Sequence, residues 1–83
     1  MDTKEMETEN GKVIYVITVI GVGINTEVHL KWNENEAVDF AMNLLEEFGI
    51  KEPEEMCYEC WRGFSDKAHC DVEIEVHERP LNQ

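Results

Sequence analysis

Residues 12–20 read KVIYVITVI, a run in which Val13, Tyr15, Ile17 and Val19 alternate with Ile14, Val16, Thr18 and Ile20. β-Branched and aromatic side chains on both alternating sets predict a central strand with two apolar faces. Gly21-Val22-Gly23-Ile24-Asn25 supplies the backbone freedom for a reversal, and beyond it Val28, Leu30 and Trp32 alternate with Glu27, His29 and Lys31. The pair of runs predicts a β-hairpin.

The period then changes from two to 3.6. Asn33 is placed to cap a helix, with Glu36 three residues on as its reciprocal partner and Glu34 and Glu36 at the positive end of the dipole. Ala37, Phe40, Ala41, Leu44, Leu45 and Phe48 recur at three- and four-residue steps, while Glu36, Asp39, Asn43, Glu46 and Glu47 take the other side. Gly49 ends the helix, and Ile50 is positioned to fold back on its last turn in a Schellman-type stop.

Residues 53–63 fit two descriptions. Pro53 suits the first position of a helix, Glu54 and Glu55 its first turn, and Met56, Cys57, Cys60, Trp61 and Phe64 a helical stripe closed by Gly63. A strand through residues 56–62 competes, and the short helix is the preferred reading. The last element is plainer: Cys70, Val72, Ile74 and Val76 alternate with Asp71, Glu73, Glu75 and His77 before Pro80. The expected fold is α+β, a small antiparallel β-sheet under one amphipathic helix in the order β-β-α-(short α or β)-β. Residues 1–11 read as a flexible acidic tail, 12–80 as a single domain and 81–83 as a C-terminal tail. One helix covers one sheet face, so the doubly apolar first strand calls for a second cover, which a homodimer or the short helix would supply.

Composition changes this picture through charge. Nineteen acidic against seven basic residues leave a formal net charge of −12, while a 42% hydrophobic content falling in patterned blocks argues for a folded chain. At 83 residues there is room for one modest core. The opening segment is acidic without an apolar stretch, and reads as neither a secretory signal nor a transit peptide. The apolar run over residues 13–24 is shorter than the ~20 residues a membrane span needs. A soluble, cytoplasmic protein is expected, with three reduced cysteines, since an odd number cannot all pair within one chain.

Such charge in a small domain points to a basic partner. Three acidic groups could meet it. Asp71, Glu73 and Glu75 would line one strand face at ~6.6 to 6.8 Å intervals. Glu36, Asp39, Glu46 and Glu47 form a row on the helix, and Glu52, Glu54, Glu55 and Glu59 a third group. Ordinary solvated faces are the plain alternative. Direct nucleic-acid binding is disfavoured, because the charge repels phosphate and the cations are scattered.

The cysteines offer a second chemistry. Cys57, Cys60, His69 and Cys70 make up the donor set of a Cys₃His zinc site, with His77 as a substitute for His69, although adjacent residues 69 and 70 cannot easily turn to one metal from an extended stretch. Small core cysteines are the competing reading. A redox or catalytic thiol is disfavoured by Glu54, Glu55 and Glu59, whose charges oppose thiolate formation. Gly21-Val22-Gly23 lacks the third glycine of a dinucleotide loop. No nucleophile is paired with a base, so no enzyme is expected and no cofactor is required. His29 and His77 fall on the polar sides of their strands, and Trp32 and Trp61 read as core at the sheet margin or as interface anchors.

Small size, acidity spread over an α+β body and the three carboxylate groups together resemble the phage-encoded inhibitors that mimic nucleic acid, which block uracil-DNA glycosylase, restriction enzymes, CRISPR effectors or the HU nucleoid protein. The class shares a charge pattern rather than a motif. The resemblance implies a host-directed inhibitor that occupies the nucleic-acid-binding surface of a basic protein, with Glu36, Asp39, Glu46, Glu47, Glu54, Glu55, Asp71, Glu73 and Glu75 as the contact groups.

Overall fold

A computed structural model describes residues 13–81. Along them run β1 (Val13–Gly21), β2 (Glu27–Lys31), α1 (Glu34–Glu47), β3 (Glu54–Cys57), β4 (Cys60–Ser65) and β5 (Cys70–Pro80). The tail assigned to residues 1–11 lies outside the described residues, as do positions 82 and 83 of the C-terminal tail. The strands form one sheet in the order β2-β1-β5-β4-β3 with every neighbouring pair antiparallel. α1 covers one face. The fold is the expected α+β arrangement, with β3 and β4 between the helix and the last strand.

Local chemistry explains the helix ends. The Asn33 side chain accepts hydrogen bonds from the backbone N–H of Asn35 and Glu36 at 2.8 and 3.3 Å, which satisfies two donors that the first turn leaves open. At the other end Gly49 takes φ +75°. Ile50 N–H then donates to Leu45 at 2.9 Å and Gly49 N–H to Glu46 at 3.0 Å, the bond pair of a Schellman stop. Ile50 is thereby drawn into the core. There it joins Ala37, Ala41, Leu44 and Leu45 of α1 against Ile17 and Val19 of β1 and Val72, Ile74 and Val76 of β5.

The segment after Pro53 differs from the preferred helical reading. Residues 54–57 and 60–65 are strands, joined by the two-residue turn Tyr58-Glu59, with Glu59 at φ +54° and a register shift between Glu55 and Cys57. Pairing decides the outcome: β4 bonds along β5 from Cys60↔Glu75 to Ser65↔Cys70, and the Val76 N–H donates to the Glu59 carbonyl at 2.9 Å. A helix here would leave the β5 edge open. Gly63 also fits only as it stands, because a Cβ there would come within 2.5 Å of Ile50 Cγ2.

Strand parity sets the second sheet face. Ile17 and Val19 point to α1, so Ile14, Val16, Thr18 and Ile20 point away, and with them their β2 partners Leu30 and Val28. Val28 and Leu30 are 60% and 58% exposed. It is the polar set of β2 that faces the helix: the His29 and Phe40 rings lie 4.7 Å apart, and Lys31 Nζ sits 4.8 Å from the Phe40 ring centroid. Trp32 is 69% exposed, which rules out the core alternative for it and leaves the interface-anchor one, whereas Trp61 packs partly buried against the core. No second helix covers the outer face among the described residues. No described helix is long and apolar enough to cross a membrane.

Candidate functional site

The outer sheet face has two unlike halves. β1 and β2 give an apolar half of Ile14, Val16, Ile20, Val28 and Leu30; β5 gives Asp71, Glu73, Glu75 and His77, because Val72, Ile74 and Val76 between them are committed to the core. Register ties the halves together, Ile20 lying opposite Glu73 and Thr18 opposite Glu75. A hollow of about 260 Å³ opens at their junction, lined by Ile20, Val22, Arg62, Asp71 and Glu73.

β4 adds the next column. Cys60 pairs with Glu75 and Arg62 with Glu73, and on the far side Cys57 pairs with Cys60 and Glu54 with Arg62. Cys60 is only 4% exposed although it stands on the outer face. Its Sγ lies 3.5 Å from Glu73 Oε2 and 3.6 Å from Glu75 Oε2, and the three donor atoms fall within 4.8 Å of one another. His77 Nε2 meets Glu75 Oε1 at 2.6 Å.

Crowding of anionic groups governs the titration of this patch. Burial, with the hydrogen bonds to Cys57 and Glu73 and the charge of Glu75, pushes the Cys60 thiol up to about 12. The hydrogen bond shared with Glu75 shifts Glu73 upward from its ordinary value and Glu75 downward. His77 supports the charge on Glu75. The causes of the upward shift of Cys60 are burial, Cys57, Glu73 and Glu75, not the Glu54, Glu55 and Glu59 charges that the sequence suggested.

The other predicted site residues divide between the two sides of the domain. Glu36, Asp39, Glu46 and Glu47 are exposed on the outer side of α1, a full layer away from Glu73 and Glu75. Glu54 shares the outer sheet face through its pairing with Arg62; Glu55, opposite Trp61, points the other way. The three acidic groups thus do not make one continuous ridge. The Cys₃His set is also broken: Cys57 and Cys60 flank the β3–β4 turn, while His69 and Cys70 sit at the β4–β5 turn, where Ser65 pairs with Cys70. His77, the substitute imidazole, stands beside Glu75 near the first pair.

A second carboxylate group was not foreseen. Tyr58 Oη donates to Glu34 Oε2 at 3.0 Å, bringing the β3–β4 turn to the start of α1. Burial, then the hydrogen bond and charge of Glu34, raise Glu59 to about 7, and Glu34 is correspondingly lowered. Only the register of β3 with β4 discloses this contact. Comparison with protein-family models, curated proteins and solved structures finds no match to this chain.

Proposed function

We propose that the chain is an acidic binding domain that occupies the nucleic-acid-binding surface of a basic protein, as the phage-encoded nucleic-acid mimics do, and that it does so with the outer face of its sheet. The observation that carries this reading is the uncovered apolar half of that face lying directly beside the carboxylates of β5. Proteins that bind phosphate backbones combine Lys and Arg with apolar and aromatic surface, and a mimic needs both counterparts within one footprint.

Asp71, Glu73, Glu75 and Glu54 supply the charged contacts, and Ile20, Val28 and Leu30 the apolar ones. Alternate strand residues are ~6.6 to 6.8 Å apart along the backbone, with the Glu73 and Glu75 carboxylates converging to within 4.8 Å, whereas one strand of B-DNA carries a phosphate per ~3.4 Å of axis. The row therefore matches alternate phosphates at best. Glu36, Asp39, Glu46 and Glu47 lie outside this footprint and act at longer range, adding to the field that speeds encounter with a cation.

The test is capture of partners from a bacterial lysate on the immobilised chain, elution with salt, and displacement of a fluorescent duplex from each captured protein. Basic nucleic-acid-binding proteins that release DNA in proportion to added chain support the reading. Loss of capture in Leu30→Asp, and weaker, less salt-sensitive capture in Asp71→Asn/Glu73→Gln/Glu75→Gln, assign it to this face. Captured proteins that keep their DNA, or unchanged capture by both variants, overturn it.

A further inference from the structure

A second chemistry resides on the acidic half of the outer face. The β3–β4 turn puts Cys57 and Cys60 on paired positions of adjacent strands, hence on one face, with Cβ atoms at the ~4.5 to 5.5 Å of directly opposed residues. Across the next strand boundary Cys60 is paired with Glu75, and Glu73 reaches the same sulfur. Three strands thus bring the Cys60 thiol and two carboxylates together, with Cys57 at the paired position on the next strand.

We propose that Cys57, Cys60, Glu73 and Glu75 form a four-coordinate site for a zinc-like divalent cation, with His77 holding the Glu75 carboxylate in place. The donor types select the ion. Paired thiolates favour borderline-soft ions, zinc above all, over calcium or magnesium, which take oxygen donors. The Cys60, Glu73 and Glu75 donor atoms already lie within 4.8 Å of one another. Cys57 completes the set from the exposed side, where an ion can enter. His77, 2.6 Å from Glu75, plays the part of the hydrogen-bonded neighbour that orients a ligating carboxylate. The arrangement also explains why a nearly buried thiol stands between two carboxylates, a grouping without benefit to an empty site. Binding releases protons from the thiols, which deprotonate on coordination.

The ligands differ from the set that the spacing of the cysteines suggested. Cys70 and His69 take no part, since the β4–β5 turn holds them at the opposite end of β4. The proposal shares Glu73 and Glu75 with the partner reading, but it does not rest on it and is tested on the isolated chain, without a partner.

Titration of the reduced, chelator-treated chain with Co²⁺, followed by competition with Zn²⁺, tests it. The expected result is a thiolate-to-cobalt charge-transfer band with tetrahedral d–d bands, saturating at about one ion per chain and lost on adding Zn²⁺. Cys57→Ser, an exposed change that leaves the core intact, removes most of the charge-transfer intensity. Glu75→Gln and His77→Gln each weaken the affinity, His77→Gln by ~10- to 100-fold, while Cys70→Ser leaves it unchanged. Absence of the band, its loss in Cys70→Ser, or unchanged affinity in Glu75→Gln would overturn the assignment. Circular dichroism of each variant confirms that the fold is retained.

Discussion

Neutralising one carboxylate of the β5 row should make the metal-free domain more stable. Glu73 and Glu75 have donor atoms within 4.8 Å of each other, with the Cys60 sulfur against both. Two unit charges at that distance repel by roughly 0.9 kcal/mol in water and by roughly 3.5 kcal/mol at an effective dielectric constant of 20. Glu75 is a quarter exposed and has His77 beside it, and Arg62 offsets part of the Glu73 charge, which places the net cost nearer the lower figure. Glu73→Gln should therefore stabilise by about 1 kcal/mol, or ~4 to 8 °C in Tm for a domain of this size. The assay is thermal unfolding followed by circular dichroism at neutral pH with reductant and chelator, at 0.1 M and at 1 M salt. Screening lengths of about 10 Å and 3 Å in the two conditions require the gain to shrink at high salt. A lower or unchanged Tm at 0.1 M, or a gain indifferent to salt, would refute the reasoning.

Three further outcomes are expected. Ile74, fully buried beneath α1, should cost about 2 to 5 kcal/mol when changed to Ala, read from urea unfolding. Gly63→Ala forces a methyl group against Ile50 and should cost about 1 to 3 kcal/mol by the same measurement. Glu59 is raised from its ordinary 4.5 to about 7 in the folded chain, which then binds the proton more tightly than the unfolded chain does. Its contribution to stability should rise as pH falls from 7 towards 4.5 and be lost above 7; Glu59→Gln should flatten that slope in Tm against pH.

What could be read from the chain was what neighbours in sequence decide. Asn33 and Gly49-Ile50 announce the helix ends through hydrogen bonds closed within a few residues, and the alternation in residues 70–77 states which side of β5 is core. Residues 53–63 could not be read this way. Met56, Cys57, Cys60, Trp61 and Phe64 satisfy a helical stripe, and the turn at Tyr58-Glu59 has no Gly or Asn to declare it. The β5 edge, distant in sequence, made the choice. The Cys60, Glu73 and Glu75 cluster was hidden for the same reason, since it exists only in the register Cys60↔Glu75 and a slip of one residue would send the glutamates to the core side. Treating CxxC as a cross-strand pair would have suggested it. On β2 the alternation was legible but not its direction, because an apolar set marks a surface to be covered without saying by what.

That uncovered surface admits two kinds of cover, and charge separates them. A second copy would bury the apolar halves of two outer faces while bringing two chains of formal charge −12 together. Repulsion opposes that approach and salt relieves it, so self-association through this face must strengthen as salt rises. A cation-rich partner meets the same apolar groups with attraction in place of repulsion, and its association must weaken as salt rises. Leu30→Asp impairs both, because both need the apolar half. Sedimentation of the isolated chain and partner binding, each followed from 0.05 to 0.5 M salt (roughly a threefold change in screening length), should therefore move in opposite directions. If self-association proves strong at low salt, the copy is the resident cover, and the acidic row of β5 is left at the rim of the dimer rather than inside a partner footprint.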